Sequence, residues 1–375
     1  MKRALIIYQH LPHYRRDIFS LLDSTEELEV VFLASDRGQD GIAVMGEGDV
    51  HSFKRARCYW VGSLMVQPRA LWEVTRHRYD FVIALGDPHY VSTWLLALVC
   101  RLQRVPIAFW THGWTRHQTG LRTHVKNLFF RLPNHLLLYN DRAVQIGVRH
   151  GFARSAMTAI YNGVPSDRPA DAEISVQVAS DIEVFTSAVS GPHIGAVIRL
   201  RDEKRLELLI EAVARLRQQK DGFENLAIIL GGDGPARESL DHLSARLKVP
   251  VLFLGPVYDS GGLHAIYRAL ALTVVPDKVG LTGIQSLKYG VPVVTHSDMD
   301  RQMPEVEAIE DGVTGFLYTE GSLQSLTDAI HRGLVAVSAD SIRFADQCAQ
   351  AVADKWNPNS QLDRILTAIN SLTRS

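Results

Sequence analysis

Short apolar runs rich in Val, Ile and Leu alternate with stretches of helical periodicity along almost the whole chain, and this alternation limits the fold more than any other feature. Strand then helix, repeated, is the pattern of parallel sheets with crossover helices. In the first half, Ala4–Tyr8, Leu28–Leu33, Phe81–Leu85, Ile107–Trp110 and His135–Tyr139 read as strands, with helices near 15–23, 68–78, 90–103, 120–131 and 141–150. In the second half, the expected strands are Ile194–Ile198, Leu226–Leu230, Val251–Leu254, Leu272–Val275 and Val291–Thr295. Helices there are expected near 204–219, 236–247, 260–269, 281–289, 322–335 and 340–354. Hydrophobicity in the strand runs is continuous rather than alternating, which argues for burial on both faces, as in doubly wound folds.

Between the halves, Asn162–Pro192 gathers Asn162-Gly163, Pro165, Pro169 and Gly191-Pro192, the densest group of turn signals in the chain. The expected division is an N-terminal domain over 1–165, a linker over 166–192 and a C-terminal domain over 193–355. A length of 375 residues leaves each half enough chain for its own core. The fold class is α/β, two Rossmann-like doubly wound parallel-sheet domains facing a central cleft, and ligands of such folds bind at the carboxyl ends of the strands.

A chain that is 46% hydrophobic and 22% charged is neither disordered, collagen-like nor coiled coil. Cys58, Cys100 and Cys348 make no C-x-x-C pair and no disulfide framework, so a reducing cytoplasmic setting is expected. The apolar run after Lys2-Arg3 stops at Gln9-His10, too soon for a signal peptide, and no run reaches the ~20 residues that cross a bilayer. A formal net charge of -1 conceals two opposite halves: +7 over 1–170 and -8 over 171–375. Within 101–154, nine basic residues face one acid, Asp141. Such a face suits phospholipid surfaces, diphosphates or nucleic acid, and nucleic acid is set aside because no binding motif or stacking platform accompanies it.

Three stretches carry chemistry. After the strand ending at Ile198, Arg199 and Lys204 stand at the opening of a helix, where two cations and free N–H groups make a diphosphate site; a solvated basic loop is the plain alternative. Gly231-Gly232-Asp233-Gly234-Pro235 joins a strand to a helix and reads on its own as a tight turn. Pro276-Asp277-Lys278-Val279-Gly280-Leu281-Thr282 leads into a helix whose first N–H groups are expected to point at phosphate, with Gln285 one turn further on.

Taken together in this order, Arg199…Lys204, Gly232-Asp233-Gly234-Pro235, Gly280-Leu281…Gly290-x-Pro292-Val293-Val294 and Asp311-Gly312-x-Thr314-Gly315 resemble the GT-B glycosyltransferases, specifically the retaining family four that uses nucleotide-sugar donors. Lys278–Thr282 with Met303-Pro304-Glu305 looks like its bacterial surface-polysaccharide subgroup. The resemblance implies that Arg199 and Lys204 hold the donor diphosphate and stabilise the leaving group. It implies donor contacts from Gly280, Leu281, Thr282, Gln285, Gly232 and Asp233. The family's two glutamates, separated by seven residues, stand here as Asp277 and Gln285, so Glu305 and Glu307 become further donor-side candidates. His112, in Phe109-Trp110-Thr111-His112-Gly113, matches a histidine beside the donor sugar, and Tyr14 and Arg15 match an acceptor-side loop. The segment 356–375 is expected to cross back to the first domain.

The basic stretch 116–132 reads as an amphipathic helix that rests on an anionic membrane surface, the alternative being a helix with its apolar stripe in the core. Asp298-Met299-Asp300 has the form of a metal motif in the wrong context, and His13, His89 and His112 lack zinc spacing, so neither metal nor cofactor is expected. The resemblance thus implies sugar transfer from a nucleoside diphosphate to a glycan or lipid-linked acceptor, in the cytoplasm or on the inner face of the plasma membrane. A non-catalytic sugar-nucleotide-binding subunit and a nucleotide-sugar epimerase are the rivals.

Overall fold

The computed structural model of the chain describes residues 1–38, 43–164, 176–219 and 221–373. It divides into two units, one of residues 1–165 with 357–375, the other of residues 166–356.

In the first unit the strands are β1 (Lys2–Pro12), β2 (Leu28–Ser35), β3 (Val44–Met45), β4 (Phe53–Arg55), β5 (Tyr59–Val61), β6 (Leu64–Val66), β7 (Phe81–Leu85), β8 (Ile107–Thr111), β9 (His135–Leu138) and β10 (Met157–Ala159). The helices are α1 (Arg16–Ser24), α2 (Pro68–Arg76), α3 (Val91–Gln103), α4 (Leu121–Phe130) and α5 (Asp141–Arg149). The sheet order is β10-β9-β8-β7-β1-β2-β4, all parallel, with β3 antiparallel to β1, and β5 and β6 form a separate hairpin. Ile6, Tyr8, Phe19, Phe32 and Trp110 centre its core, and the last helix, Pro358–Thr373, adds Ile365 and Ile369. Gln361 anchors that helix by donating from Nε2 to the Tyr161 carbonyl at 2.7 Å.

The second unit runs α6 (Val176–Ala188), β11 (His193–Val197), α7 (Leu206–Gln219), β12 (Ala227–Gly231), α8 (Arg237–Leu247), β13 (Val251–Phe253), α9 (Ser260–Ala269), β14 (Leu272–Val274), α10 (Leu281–Lys288), β15 (Val293–His296), β16 (Gly315–Tyr318), α11 (Leu323–Ala339) and α12 (Ser341–Lys355). Its sheet, β13-β12-β11-β14-β15-β16, is entirely parallel. Part of the stretch expected to be linker is helical. Residues 165–175 lie outside the described residues, and α6 sends Ile182 and Phe185 against Ile266 and Tyr267. The Pro and Gly signals flank this helix, and an apolar face lies between them.

Both sheets have the doubly wound parallel form that the alternation implies. In the first, the chain leaves β1 toward β2 and returns on the other side at β7. In the second it leaves β11 toward β12 and returns at β14. At such a reversal, neighbouring loops splay apart beyond the carboxyl ends of the strands and leave room for a ligand.

Candidate functional site

The reversal in the second unit holds the cationic residues. Arg199 is exposed just beyond β11, and Lys204 closes a short turn before α7. From there Lys204 Nζ donates to the Lys278 carbonyl at 3.4 Å, and Thr282 Oγ1 donates to the Val197 carbonyl at 3.0 Å. Both contacts bridge the two sides of the reversal.

The loop between β14 and α10 is tied down along its length. The Tyr318 hydroxyl donates to the Pro276 carbonyl, Thr295 Oγ1 donates to that of Asp277 at 3.2 Å, and the Val279 N–H donates to Gln302 Oε1 at 2.8 Å. Gln302 is buried, and its Nε2 donates to Thr295 Oγ1 at 2.9 Å and to the His296 carbonyl at 3.0 Å. The loop therefore presents the first turn of α10 in a fixed place. Gly280 caps that helix without a side-chain acceptor, so the positive end of the helix dipole and its free N–H groups stand beside Lys204.

Gly232 and Gly234 have φ of +131° and +157°, and a Cβ on either would lie 2.0 or 2.2 Å from the carbonyl oxygens of Ile198 and Leu200. Leu200 N–H donates to the Asp233 carbonyl at 3.0 Å, and Ala236 N–H donates to that of Leu200 at 3.0 Å. The glycines thus lay their turn flat on the loop that carries Arg199, while the exposed Asp233 carboxylate accepts from the Gly234 N–H at 2.8 Å. Gln285 is half-buried one turn into α10, Glu305 is buried at 2% exposure, and Glu307 is exposed on the same short turn as Glu305. Asp298 accepts from the Asp300 N–H at 3.0 Å, closing a turn. Among the described residues, no group of three or more His, Cys, Asp or Glu is placed to hold a metal ion.

At the reversal of the first unit, the ends of β1, β7, β8 and β9 enclose a pocket of about 590 Å³. Its walls bring together Tyr14, Arg15 and His112, which the sequence singles out, and Lys126 of the basic stretch, with Tyr8, Asp87, His89 and Tyr139. Arg15 is 8% exposed and donates from its guanidinium to the Tyr8 hydroxyl at 3.2 Å. Its charge lies 4.7 Å from the Tyr139 ring centre and 5.6 Å from that of Trp110, a cation held over aromatic faces. Tyr14 is exposed beside it. His112 packs its ring 4.5 Å from Tyr139. Although one side of it faces open space, the crowding of the pocket first, and then the cations Arg15 and Lys126, lower its pKa to about 4. The imidazole is therefore neutral near pH 7. Asp87 pairs with His89 at 2.8 Å.

The helix over 121–130 divides its apolar residues. Phe129 and Phe130 enter the core, whereas Leu121, Val125 and Leu128 face solvent, Leu121 at 82% exposure. α3 lies against it, Trp94 touching Phe129 with ring centres 4.9 Å apart, and shows a second exposed row of Leu95, Leu98 and Leu102. Arg101, Arg104, Arg122 and Arg131 surround these rows, and no acidic residue occurs from 88 to 140. Among the described residues, no helix is long and apolar enough to cross a membrane.

Gln302, Tyr318 and Thr295 are the supporting residues that sequence reading missed. No local pattern marks them, because Gln302 reaches Val279 across 23 residues of chain.

Comparison with known proteins gives a family match within this second unit and a likeness of fold over the whole chain. A family model for Glycosyl transferases group 1 matches residues 191–335. The glycogen synthase of Edwardsiella ictaluri is 29% identical over 198 residues, which make up 50% of this chain and 40% of that protein. HepE of Anabaena, solved in complex with UDP, is 18% identical with a TM-score of 0.72, covering 99% of this chain and 100% of that one. The same protein has been solved with UDP-glucose. A glycosyltransferase from Rickettsia africae is 14% identical with a TM-score of 0.75, covering 100% of this chain and 99% of that one.

Proposed function

We propose that the protein is a glycosyltransferase that moves a sugar from a nucleoside diphosphate to a glycan or lipid-linked acceptor, a reading supported by the Glycosyl transferases group 1 model that matches residues 191–335 and by the GT-B fold of the chain. The proposal includes retention at the anomeric carbon and no requirement for a metal ion. It rests chiefly on one arrangement: Arg199, Lys204 and the start of α10 around the reversal between β11 and β14.

As the bond from the anomeric carbon to the leaving oxygen breaks, negative charge grows on the diphosphate. Two cations and a helix N-terminus neutralise that charge, the task a divalent ion performs elsewhere. Gly280, Leu281 and Thr282 supply the N–H groups, and Gln285, Glu305 and Glu307 stay on the donor side of the proposal. Positive charge meanwhile grows on the sugar ring. A neutral imidazole at His112 can hydrogen-bond sugar hydroxyls without opposing it, and Tyr14 and Arg15 are assigned to the acceptor side.

Titration calorimetry with UDP-glucose tests the donor assignment. Binding by the wild type that falls at least about 100-fold in Arg199→Ala/Lys204→Ala supports it, since each lost charged contact removes about 1.5–3 kcal/mol. Unchanged affinity overturns it. Asp277 and Gln285, standing where the family has glutamates, favour a second reading in which the sugar nucleotide is bound without turnover. Transfer or slow hydrolysis of UDP-glucose excludes that reading.

The proposal also places the protein on the cytoplasmic face of an anionic membrane, supported by the leucine rows of α3 and α4 with their arginines. Co-sedimentation with phosphatidylglycerol vesicles but not phosphatidylcholine vesicles, lost in Leu121→Glu/Leu128→Glu, is the expected result. Equal binding to both vesicles removes this part of the proposal.

A further inference from the structure

We infer that the first unit carries a separate subsite for a negatively charged sugar, reading a carboxylate or phosphate on the acceptor. A second pocket, of about 300 Å³, opens beyond the ends of β2 and β4. Gln9 lines both this pocket and the 590 Å³ one, so the two share a wall.

Its charge is one-sided. Among the described residues, Arg37, Arg55 and Arg57 line it against a single acid, Asp36, and Asp36 is already engaged by Arg55 Nε at 3.1 Å. Among the described residues, the guanidinium groups of Arg37 and Arg57 have no ion-pair or hydrogen-bond partner and are exposed. Two uncompensated planar forks beside one another match the paired oxygens of a carboxylate or phosphate.

Part of its lining is aromatic. Tyr59 and Trp60 are 55% and 40% exposed, which offers ring faces to the apolar side of a sugar. Trp60 is braced edge-on by Tyr90, with ring centres 6.1 Å apart, and the Tyr90 hydroxyl donates to Gln9 Oε1 at 2.8 Å. The backbone between Arg55 and Arg57 is fixed as well. Ala56 N–H donates to the Ala34 carbonyl at 2.7 Å, and Arg69 donates to the carbonyl of Arg55 at 2.8 Å. Cations beside open aromatic rings on a partly fixed backbone discriminate charged from neutral sugars.

Its role in choosing the acceptor rests on the transfer reading; the binding of anionic sugars does not. Calorimetric or NMR titration with D-glucuronate, glucose 1-phosphate and neutral glucose is the test. It is to be repeated in the Arg199→Ala/Lys204→Ala background, so that the second unit's cations cannot compete. The expected result is a preference of about tenfold for at least one anion over glucose, abolished in Arg37→Ala/Arg57→Ala while UDP-glucose affinity is unchanged. Which anion binds better distinguishes carboxylate from phosphate. Equal binding of all three sugars, or a preference that survives Arg37→Ala/Arg57→Ala, overturns the subsite. Failure of the wild type to bind UDP-glucose counts against the transfer reading and leaves this subsite standing.

Discussion

The two units share a topology and use its reversal point in opposite ways. In the second, the cations are side chains reaching outward, Arg199 exposed and Lys204 half-buried, over a backbone loop pinned by buried polar groups. In the first, the cation is inside: Arg15 lies under Tyr8, Trp110 and Tyr139, and the pocket surface is largely aromatic with a neutral histidine. A charged diphosphate needs charge it can reach, and a sugar needs apolar faces with hydrogen-bonding groups that do not repel a developing cation. On the proposed reading the same strand order serves two chemistries, and the loops beyond the strands decide which.

The largest expected effect breaks this comparison directly. Arg199→Ala/Lys204→Ala is expected to weaken UDP-glucose binding by at least about 100-fold, close to 3 kcal/mol, whereas Arg15→Met leaves nucleotide affinity within about twofold. Calorimetry on the two variants under identical salt decides it. If Arg15→Met weakens nucleotide binding as much, the division of labour between the units is wrong.

A smaller effect sharpens the claim that the donor loop is built in advance. Gln302→Leu leaves the Val279 N–H and the His296 carbonyl without their side-chain partner in a buried place, a loss worth about 1–3 kcal/mol. Chemical denaturation of the variant should show that loss, and UDP-glucose affinity should fall about tenfold in the folded protein, because the start of α10 is no longer held. A variant that loses stability but binds UDP-glucose as the wild type does separates Gln302 from the donor site.

How much of this was legible depended on the distance over which each feature is encoded. Phe81–Leu85 and Ile107–Thr111 are continuous apolar runs, so the strands and their parallel arrangement could be read locally. Arg199 and Lys204 sit at a strand end and a helix start, and such positions keep their meaning in any doubly wound sheet. The short β4, β5 and β6, three residues each, are too brief to show a period. Arg15 could be named but not placed, since its burial needs rings from β1, β8 and the residue after β9 to close over it. The α3 leucines form one apolar segment with core residues in sequence, and only the fold separates Leu96 inside from Leu95, Leu98 and Leu102 outside.

The smallest effect concerns the neutrality of His112. Its folded-state pKa of about 4 lies below the ordinary 6.5, so the imidazole carries no proton near neutrality. On lowering the pH, an ordinary histidine in this place gains its charge near 6.5; this one holds off until about 4, and activity is expected to show no inflection from this group between those values. Lys126 is one of the cations that keep the pKa low, after crowding and Arg15. Lys126→Met removes that cation and is expected to move the His112 pKa up toward 6.5, followed by NMR of the ring protons. If transfer in this variant then declines as the pH falls through the new value, a protonated imidazole opposes the positive charge growing on the sugar, and the neutral aromatic pocket of the first unit is a chemical requirement. A decline that begins in the wild type near pH 6.5 instead shows that His112 titrates ordinarily, and the contrast drawn between the two units loses its electrostatic half.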